Sequence, residues 1–416
     1  MFIILCYNYS IKYSLNRRHG MSAFAETIIE IYDDEPIYNV LSIAEFKPKN
    51  VVYIGSRKLK SKRVKNSIIS FIRELSLDTK CFFYSTDMLS IDAIHSELNN
   101  IFSLFPSCAI DLTGGNEVAL VAIGMIAKEK NIPLFRYDRY AYCYRNIYNC
   151  PMADNVPSEP HLNIRALLAL AGGVMKSHGH VSVDVLDTDT ADDIFRVWTI
   201  YKKHHRVWSK VVGYLQQISK NLDGDELHIS SPDTIFSGER VSSANQAVMN
   251  DLAEAGIIEN YYKDKRRLSF NYKNRLMRSC LCDAGICLEL YVFAAAITAG
   301  VYDDVQISVV IDWDGKLDSH INTINEIDVM LTRGIVPVFI SCKSGTPNVT
   351  TLNEIKTLAK QFGGEYARPV LVTMADIRSG DRYLMQRAQD MGIDIIDRDD
   401  LLYDRLSKRL YKLSKI

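Results

Sequence analysis

The chain lacks the features that would assign it to a membrane, a disulfide scaffold or a generally polyanion-binding class. Its most apolar early run, "FIILC", is too short to span a bilayer, and the basic residues come after it, opposite to a secretory leader. No other run is long enough to cross one. None of the nine cysteines forms a CxxC pair and most sit in apolar stretches, which fits a reducing cytoplasm better than zinc binding or disulfides. Net charge is nearly absent: 49 basic residues stand against 50 acidic ones, giving −1. Any contact with nucleic acid must then come from a local patch. Internal repeats and low-complexity segments are missing too. No GxGxxG comes after the first expected strand, which runs into "DDEPIYN" instead, and this disfavours a dinucleotide-dependent oxidoreductase.

What is present is a chain of 416 residues, 47% hydrophobic, with room for two or three domains. Residues 1–20 are unlike the rest of the chain, and the expected start lies near Met21, with 1–21 a dispensable extension. From 26 to about 150, strand-like runs ("TIIEIYD", "NVVYIGS", "KCFFYST", "SCAIDLTG", "IPLFRYD") alternate with segments of helical apolar spacing. That alternation predicts a doubly wound parallel sheet, on which ligands bind at the carboxyl ends of strands. Two such ends stand out. Asp33, Asp34, Glu35, Pro36 and Asn39 follow the first strand, and Thr113, Gly114, Gly115 and Asn116 follow the fourth. The glycines admit a ligand close to the backbone, and the helix start offers free N–H groups to a phosphate. The same residues read equally as a tight turn with Thr113 or Asn116 as the helix cap.

The segment 242–274 has the outline of a winged helix: helix, strand, the basic turn "KDKRR" and strand. Lys263, Lys265, Arg266 and Arg267 suit nucleic-acid contact, and the segment suits a structural connector as well. His178 and His180 lack a further candidate ligand and read as a loop. Cys280, Cys282 and Cys287 read as buried free thiols.

Beyond residue 280 the expected order is helix, hairpin, helix, strand, helix, strand. In "NEIDVML" a period of two puts Ile327, Val329 and Leu331 on one face and Glu326 and Asp328 on the other. In "VPVFISCK", Ser341 and Lys343 share a face, so a hairpin turning near Arg333-Gly334 brings a carboxylate beside a lysine. Glu289 lies in the apolar helix "AGICLELYVFAAAITAG", where an unpartnered carboxylate is costly. Carboxylates of this kind hold a divalent metal, which polarises a phosphate and lowers the pKa of bound water; a lysine orients that water or stabilises charge on phosphorus.

Helix glutamate, hairpin aspartate and lysine in this order resemble the PD-(D/E)xK, restriction-endonuclease-like fold. "GICLELYVF", "NEIDVML" and "FISCKSG", together with "DLTGGNE" nearer the N-terminus, resemble the CRISPR-associated CARF-domain effector nucleases over most of residues 22–416. The resemblance implies a Rossmann-like CARF sensor of cyclic oligoadenylate over 22–155 and a linker with a winged-helix-like connector over 156–274. It implies an α/β nuclease domain over 275–416. It further implies a homodimer activated by cyclic tetra-adenylate, catalytic Glu289, Asp328 and Lys343 with Ser341 beside them, and Mn2+ or Mg2+ on Glu289, Asp328 and Glu326. Single-stranded DNA and RNA, and nicked duplex DNA, are the implied substrates of type III antiviral defence. Ser341 departs from the pattern, which has an acid there. The alternative is a ligand-sensing, DNA-binding transcription regulator with an inactive nuclease-like domain. A sensor fused to a HEPN ribonuclease is disfavoured, because no Arg-x4-6-His motif occurs late in the chain.

Overall fold

The computed structural model describes residues 25–158, 160–176, 186–237, 240–313 and 324–415. The expected extension 1–21 and the pair His178 and His180 lie outside the described residues.

The first five strands are β1 (Thr27–Ile31), β2 (Asn50–Gly55), β3 (Lys80–Ser85), β4 (Cys108–Asp111) and β5 (Leu134–Asp138). They pair in parallel in the order β3-β2-β1-β4-β5, as the strand and helix alternation predicts. Two further strands, β6 (Cys143–Tyr148) and β7 (Val156–Pro157), extend this sheet antiparallel. Alternate residues serve opposite cores: Ile28, Val51 and Tyr53 pack on one side with Phe71, while Ile29, Val52 and Ile54 pack on the other with Leu98 and Ile123. Because β1 has β2 on one side and β4 on the other, the chain leaves these two neighbours in opposite directions. The carboxyl ends of β1 and β4 therefore flank a topological crevice.

The middle of the chain holds the helices Thr188–His204 and Trp208–Ser219, where the sequence suggests one continuous helical stretch. A small three-stranded sheet comes next, built from β9 (His228–Pro232), β12 (Ile258–Asp264) and β13 (Arg267–Tyr272) in the order β12-β13-β9. Between β9 and β12 lie a separate hairpin, β10 (Thr234–Ser237) with β11 (Arg240–Ser243), and the helix Gln246–Glu254. The Trp198 and Tyr291 rings stack with centroids 3.9 Å apart, tying the middle segment to the apolar helix Ala284–Ala299.

The second large sheet has the order β18-β17-β16-β15-β14-β8. Its members are β8 (Val174–Met175), β14 (Asp304–Asp312), β15 (Ile324–Arg333), β16 (Val336–Lys343), β17 (Arg368–Thr373) and β18 (Asp394–Ile396). The expected hairpin is β15–β16, turning at Gly334, whose φ is +56°. Sequence reading passes over β14, although its "DVQISVVID" alternates Val305, Ile307, Val309 and Ile311 with Gln306 and Ser308 and so carries the period of a strand. It also takes "NIRALLALAGGVMK", 163–176, as helical, whereas the helix stops at Leu170 and β8 pairs with the edge of this sheet. Gly172, at φ +82°, breaks the helix.

The two sheets are joined through the hairpin. Ile335 and Val336, at the β15–β16 turn, are buried in the core of the first sheet with Ile37, Val40, Phe135 and Leu167. Asp303 accepts the Gly334 N–H at 2.6 Å and Thr332 donates to the Leu162 carbonyl at 2.7 Å, which fixes the turn in that position. Ile335→Ala should therefore destabilise the first sheet as well as the hairpin, by about 2–4 kcal/mol. Urea unfolding monitored by a fluorophore attached in each sheet should show both midpoints shifted. A shift confined to one would contradict the shared core.

Candidate functional site

The candidate catalytic cluster forms where β15 and β16 part. Their pairing runs from Arg333 opposite Val336 to Val329 opposite Ile340 and goes no further, after which β16 follows β17 while β15 follows β14. At this fork the Asp328 carboxylate accepts the Cys342 N–H at 2.6 Å, supplying the partner that a ladder carbonyl would otherwise give. The same oxygen lies 3.3 Å from the Ser341 hydroxyl and 3.5 Å from Lys343 Nζ.

The pleat inverts at this point. Val329 and Ile307 pack with the Ala284–Ala299 helix, but Ile327, Val309 and Ile311 pack in the opposite core, so Ile327 does not share a face with Val329 and Leu331 as strict alternation predicts. The physical reason is Ser308, between the register pairs Ile307–Val329 and Val309–Ile327, which has φ +51° and cannot continue the pleat. A non-glycine residue in this region costs about 1–2 kcal/mol, and Ser308 is buried with its hydroxyl unpartnered among the described residues. The inversion leaves Asp328 at the boundary between the cores, within electrostatic reach of Glu289 on the helix.

Glu289 responds to that closeness. Its carboxyl is pushed up to about 8, by burial first and then by Asp328 and Glu326, with Lys343 opposing the rise and Asp283 adding to it. Asp328 is also raised, by burial, with Lys343 and the Cys342 N–H holding it back. Glu326 is exposed. Among the described residues no group of three or more His, Cys, Asp or Glu side chains is gathered so as to hold a metal ion. The expected set Glu289, Asp328 and Glu326 is thus not closed into a metal-binding group, and Asp328 keeps its second oxygen outside the bond to the Cys342 N–H. The donor chemistry nonetheless suits a hard divalent cation: oxygen ligands only, crowded so that one carboxyl resists ionising until a positive charge arrives.

At the other end of the molecule, a cavity of ≈ 250 Å³ opens at the carboxyl ends of β1 and β4, lined by Tyr32, Asp33, Asp34, Ser56, Lys58, Met88, Gly115 and Asn116. Asp33 is its organiser. Its carboxylate accepts the Gly115 N–H at 3.0 Å and the Glu35 N–H at 2.8 Å. Gly114 and Gly115 are needed for this approach: a Cβ on Gly114 would stand 2.8 Å from Asp33 Cβ, and Gly115 has φ +99° with a Cβ position 2.6 Å from Ile31. Asn116 caps the next helix by accepting the Ala119 N–H at 2.9 Å. Asp34 pairs with Lys58.

Other expected residues hold the loops without lining the cavity. Asn39 is buried and bonds Asp33 in both directions, through Asp33 N–H at 2.8 Å and Asp33 carbonyl at 2.9 Å. Thr113 hydrogen-bonds Asp111 and accepts the Tyr137 N–H at 2.8 Å. Pro36 opens a short 3-10 turn, Pro36–Asn39. Glu35 faces away, against Gly364 of the second module. Beside it Tyr38 donates to Glu365, lies 3.0 Å from the Tyr366 hydroxyl, and neighbours Arg139, which pairs with Glu365 at 3.5 Å. Sequence reading missed Tyr32, Ser56, Lys58 and Met88. The signal for Ser56 and Lys58 was available, since "GSRKLK" comes at the end of β2, on the same sheet edge.

No family model and no curated protein sequence matches the chain. Solved structures do. The protein VC1899 from Vibrio cholerae aligns with TM-score 0.70 at 17% identity, covering 94% of this chain and 99% of that one. Can2 from Sulfobacillus thermosulfidooxidans, in complex with cyclic tetra-adenylate, aligns with TM-score 0.67 at 15% identity, covering 94% and 98%. The mixed α/β fold is therefore shared over nearly the full length of both.

Since the folded-state pKa of Glu289 is raised, its proton is held more tightly in the folded protein than in the unfolded one. Stability from this group is complete below the ordinary carboxylate value and is lost as pH rises through about 8. Glu289→Gln should accordingly melt close to wild type at pH 5 and clearly higher at pH 9, in chelator. A gap between the two melting temperatures that does not widen with pH would rule out the crowded-carboxylate account.

Proposed function

We propose that the chain is a nuclease switched on by a cyclic oligoadenylate of type III CRISPR defence, with cyclic tetra-adenylate as activator and single-stranded DNA or RNA as substrate. The observation that carries this reading is the fork at Asp328, which gathers Glu289, Asp328 and Lys343 from separate elements in a strained, partly buried setting. The likeness to a fold that elsewhere holds cyclic tetra-adenylate supports the sensor half.

Glu289 and Asp328, with Glu326 at the rim, would hold Mn2+ or Mg2+, which when bound polarises the scissile phosphate and acidifies a water. Asp328 holds the Lys343 ammonium loosely, at 3.5 Å, and Lys343, 41% exposed, is free to donate to the attacking water or to a phosphate oxygen. Ser341 contributes a weak hydroxyl contact to Asp328 where the family pattern has an acid.

The activator would bind at the β1/β4 crevice of a homodimer, its own symmetry matching the pair. Gly115 offers the phosphate-binding N–H, but Asp33 already occupies it. An incoming phosphate must displace that carboxylate, so binding is coupled to movement of the Asp33–Asn39 loop. The loop carries Glu35 and Tyr38, which touch Gly364, Glu365 and Tyr366 ahead of β17, and it packs on the core that holds the β15–β16 turn. Displacing Asp33 therefore pulls on the hairpin that bears the candidate catalytic residues, as differential affinity for two arrangements requires.

Asp328→Ala and Lys343→Ala should each lower cleavage of a labelled oligonucleotide at least a hundredfold while leaving calorimetric binding of cyclic tetra-adenylate unchanged. Near-normal cleavage by either variant would refute the active-site assignment. Gly114→Val, which drives a side chain into Asp33, should abolish activator binding; tight binding by a folded variant would refute the sensor site. Tyr38→Phe should bind activator normally yet show weaker stimulation of cleavage, and undiminished stimulation would exclude this contact from the switch.

A further inference from the structure

We infer that the β12–β13 hairpin is a surface for single-stranded nucleic acid, gripping the strand that the Glu289 region acts on. This rests on the nuclease reading for its purpose but not for its test.

The hairpin tip gathers Lys263, Lys265, Arg266 and Arg267, all exposed. Lys263 is paired with Asp233 at 3.2 Å and Arg267 donates to Ser230 at 3.3 Å, whereas Lys265 and Arg266 have no ion-pair partner among the described residues. Register puts Tyr262 and Arg267 on the same face, since Tyr262 lies opposite Ser269 and Asp264 opposite Arg267. Tyr262 is 66% exposed, and Phe236, on the adjacent hairpin, is 74% exposed opposite Val241. The two hairpins are joined at the tip, where the Asp233 N–H donates to the Arg266 carbonyl at 2.9 Å. Free cations beside exposed aromatic rings suit a strand whose phosphates and unstacked bases are both accessible. The helix Gln246–Glu254 instead exposes Gln246, Ala247, Asn250 and Glu254, which gives a duplex-reading helix little to work with.

Two features separate this tip from an ordinary solvated turn. Lys265 has φ +45° at the first central position of a two-residue hairpin, where glycine is the favoured residue. Glycine there would relieve the strain, so the property we assign to Lys265 is its charge. The other face of the hairpin is equally informative: Leu268, Phe270 and Tyr272 are buried in the same core as Leu288 and Leu290, on either side of Glu289. The hairpin is thus held rigidly relative to the helix that carries the candidate catalytic carboxylate.

The test is fluorescence anisotropy of the full chain with a labelled single-stranded DNA of about twenty nucleotides, and with RNA of the same sequence, in EDTA so that cleavage does not intervene. Lys265→Gln combined with Arg266→Gln should weaken binding and lower the slope of log K against log salt by about 1.4, two phosphate contacts on a single strand. Tyr262→Ala should weaken binding about tenfold with the slope unchanged, as loss of a base stack requires. Lys265→Gly should raise the melting temperature while weakening binding, a combination a purely structural lysine would not produce. Unaltered affinity and slope in the double variant would overturn the proposal, and so would binding to anionic vesicles in preference to the oligonucleotide. If the variants lose binding while wild-type protein with Mn2+ and activator cuts nothing, the surface stands and the nuclease reading falls.

Discussion

The β15–β16 hairpin has its turn in one core and its open end in another, and most of the molecule's organisation depends on that. Ile335 and Val336 belong to the hydrophobic interior of the parallel sheet, while Val329, Leu331, Val338 and Ile340 belong to the interior built on the Ala284–Ala299 helix. A two-stranded ribbon with cross-strand hydrogen bonds is stiff along its length. Burying its ends in different bodies makes it a strut between them. The two large sheets cannot shift relative to one another without moving the residues at the fork.

The fork itself is held by an exchange of partners. Where β16 leaves β15 for β17, a backbone N–H loses its ladder acceptor, and a buried donor without an acceptor costs on the order of 1–3 kcal/mol. Asp328 supplies the acceptor through its side chain. This fixes the carboxylate without a second charged partner at ideal distance and leaves Lys343 only loosely tethered at 3.5 Å. The strain at Ser308 and the raised pKa of Glu289 lie in the same small region, where the chemistry is proposed.

Electrostatics at the two ends are alike in one respect: each is negatively charged before a ligand arrives. Asp33 and Asp34 stand in the crevice with Lys58 as counter-charge, and Glu289, Asp328 and Glu326 stand at the fork with Lys343. At the fork the crowding favours a cation. At the crevice it opposes an anion unless a carboxylate moves, which makes occupancy and rearrangement inseparable there.

The sequence by itself determined the parallel sheet, the loops at its switch point, the β15–β16 hairpin and the adjacency of Asp328 and Lys343, because each depends on short-range periodicity, turn residues or register within one hairpin. Glu289 was legible too, as a lone carboxylate in an apolar helix. Tertiary structure alone decided the rest. β8 is too short to have a pattern, whereas β14 does alternate, at Val305, Ile307, Val309 and Ile311, and was open to reading. The pleat inversion at Ser308 comes from a backbone angle that no residue type announces, and it is what brings Asp328 within reach of Glu289. Burial of the hairpin turn in the other module, and the meeting of Glu35 and Tyr38 with residues more than three hundred positions away, depend on how whole sheets pack. Such contacts are set by the summed shape of many side chains, and no local stretch of sequence encodes them.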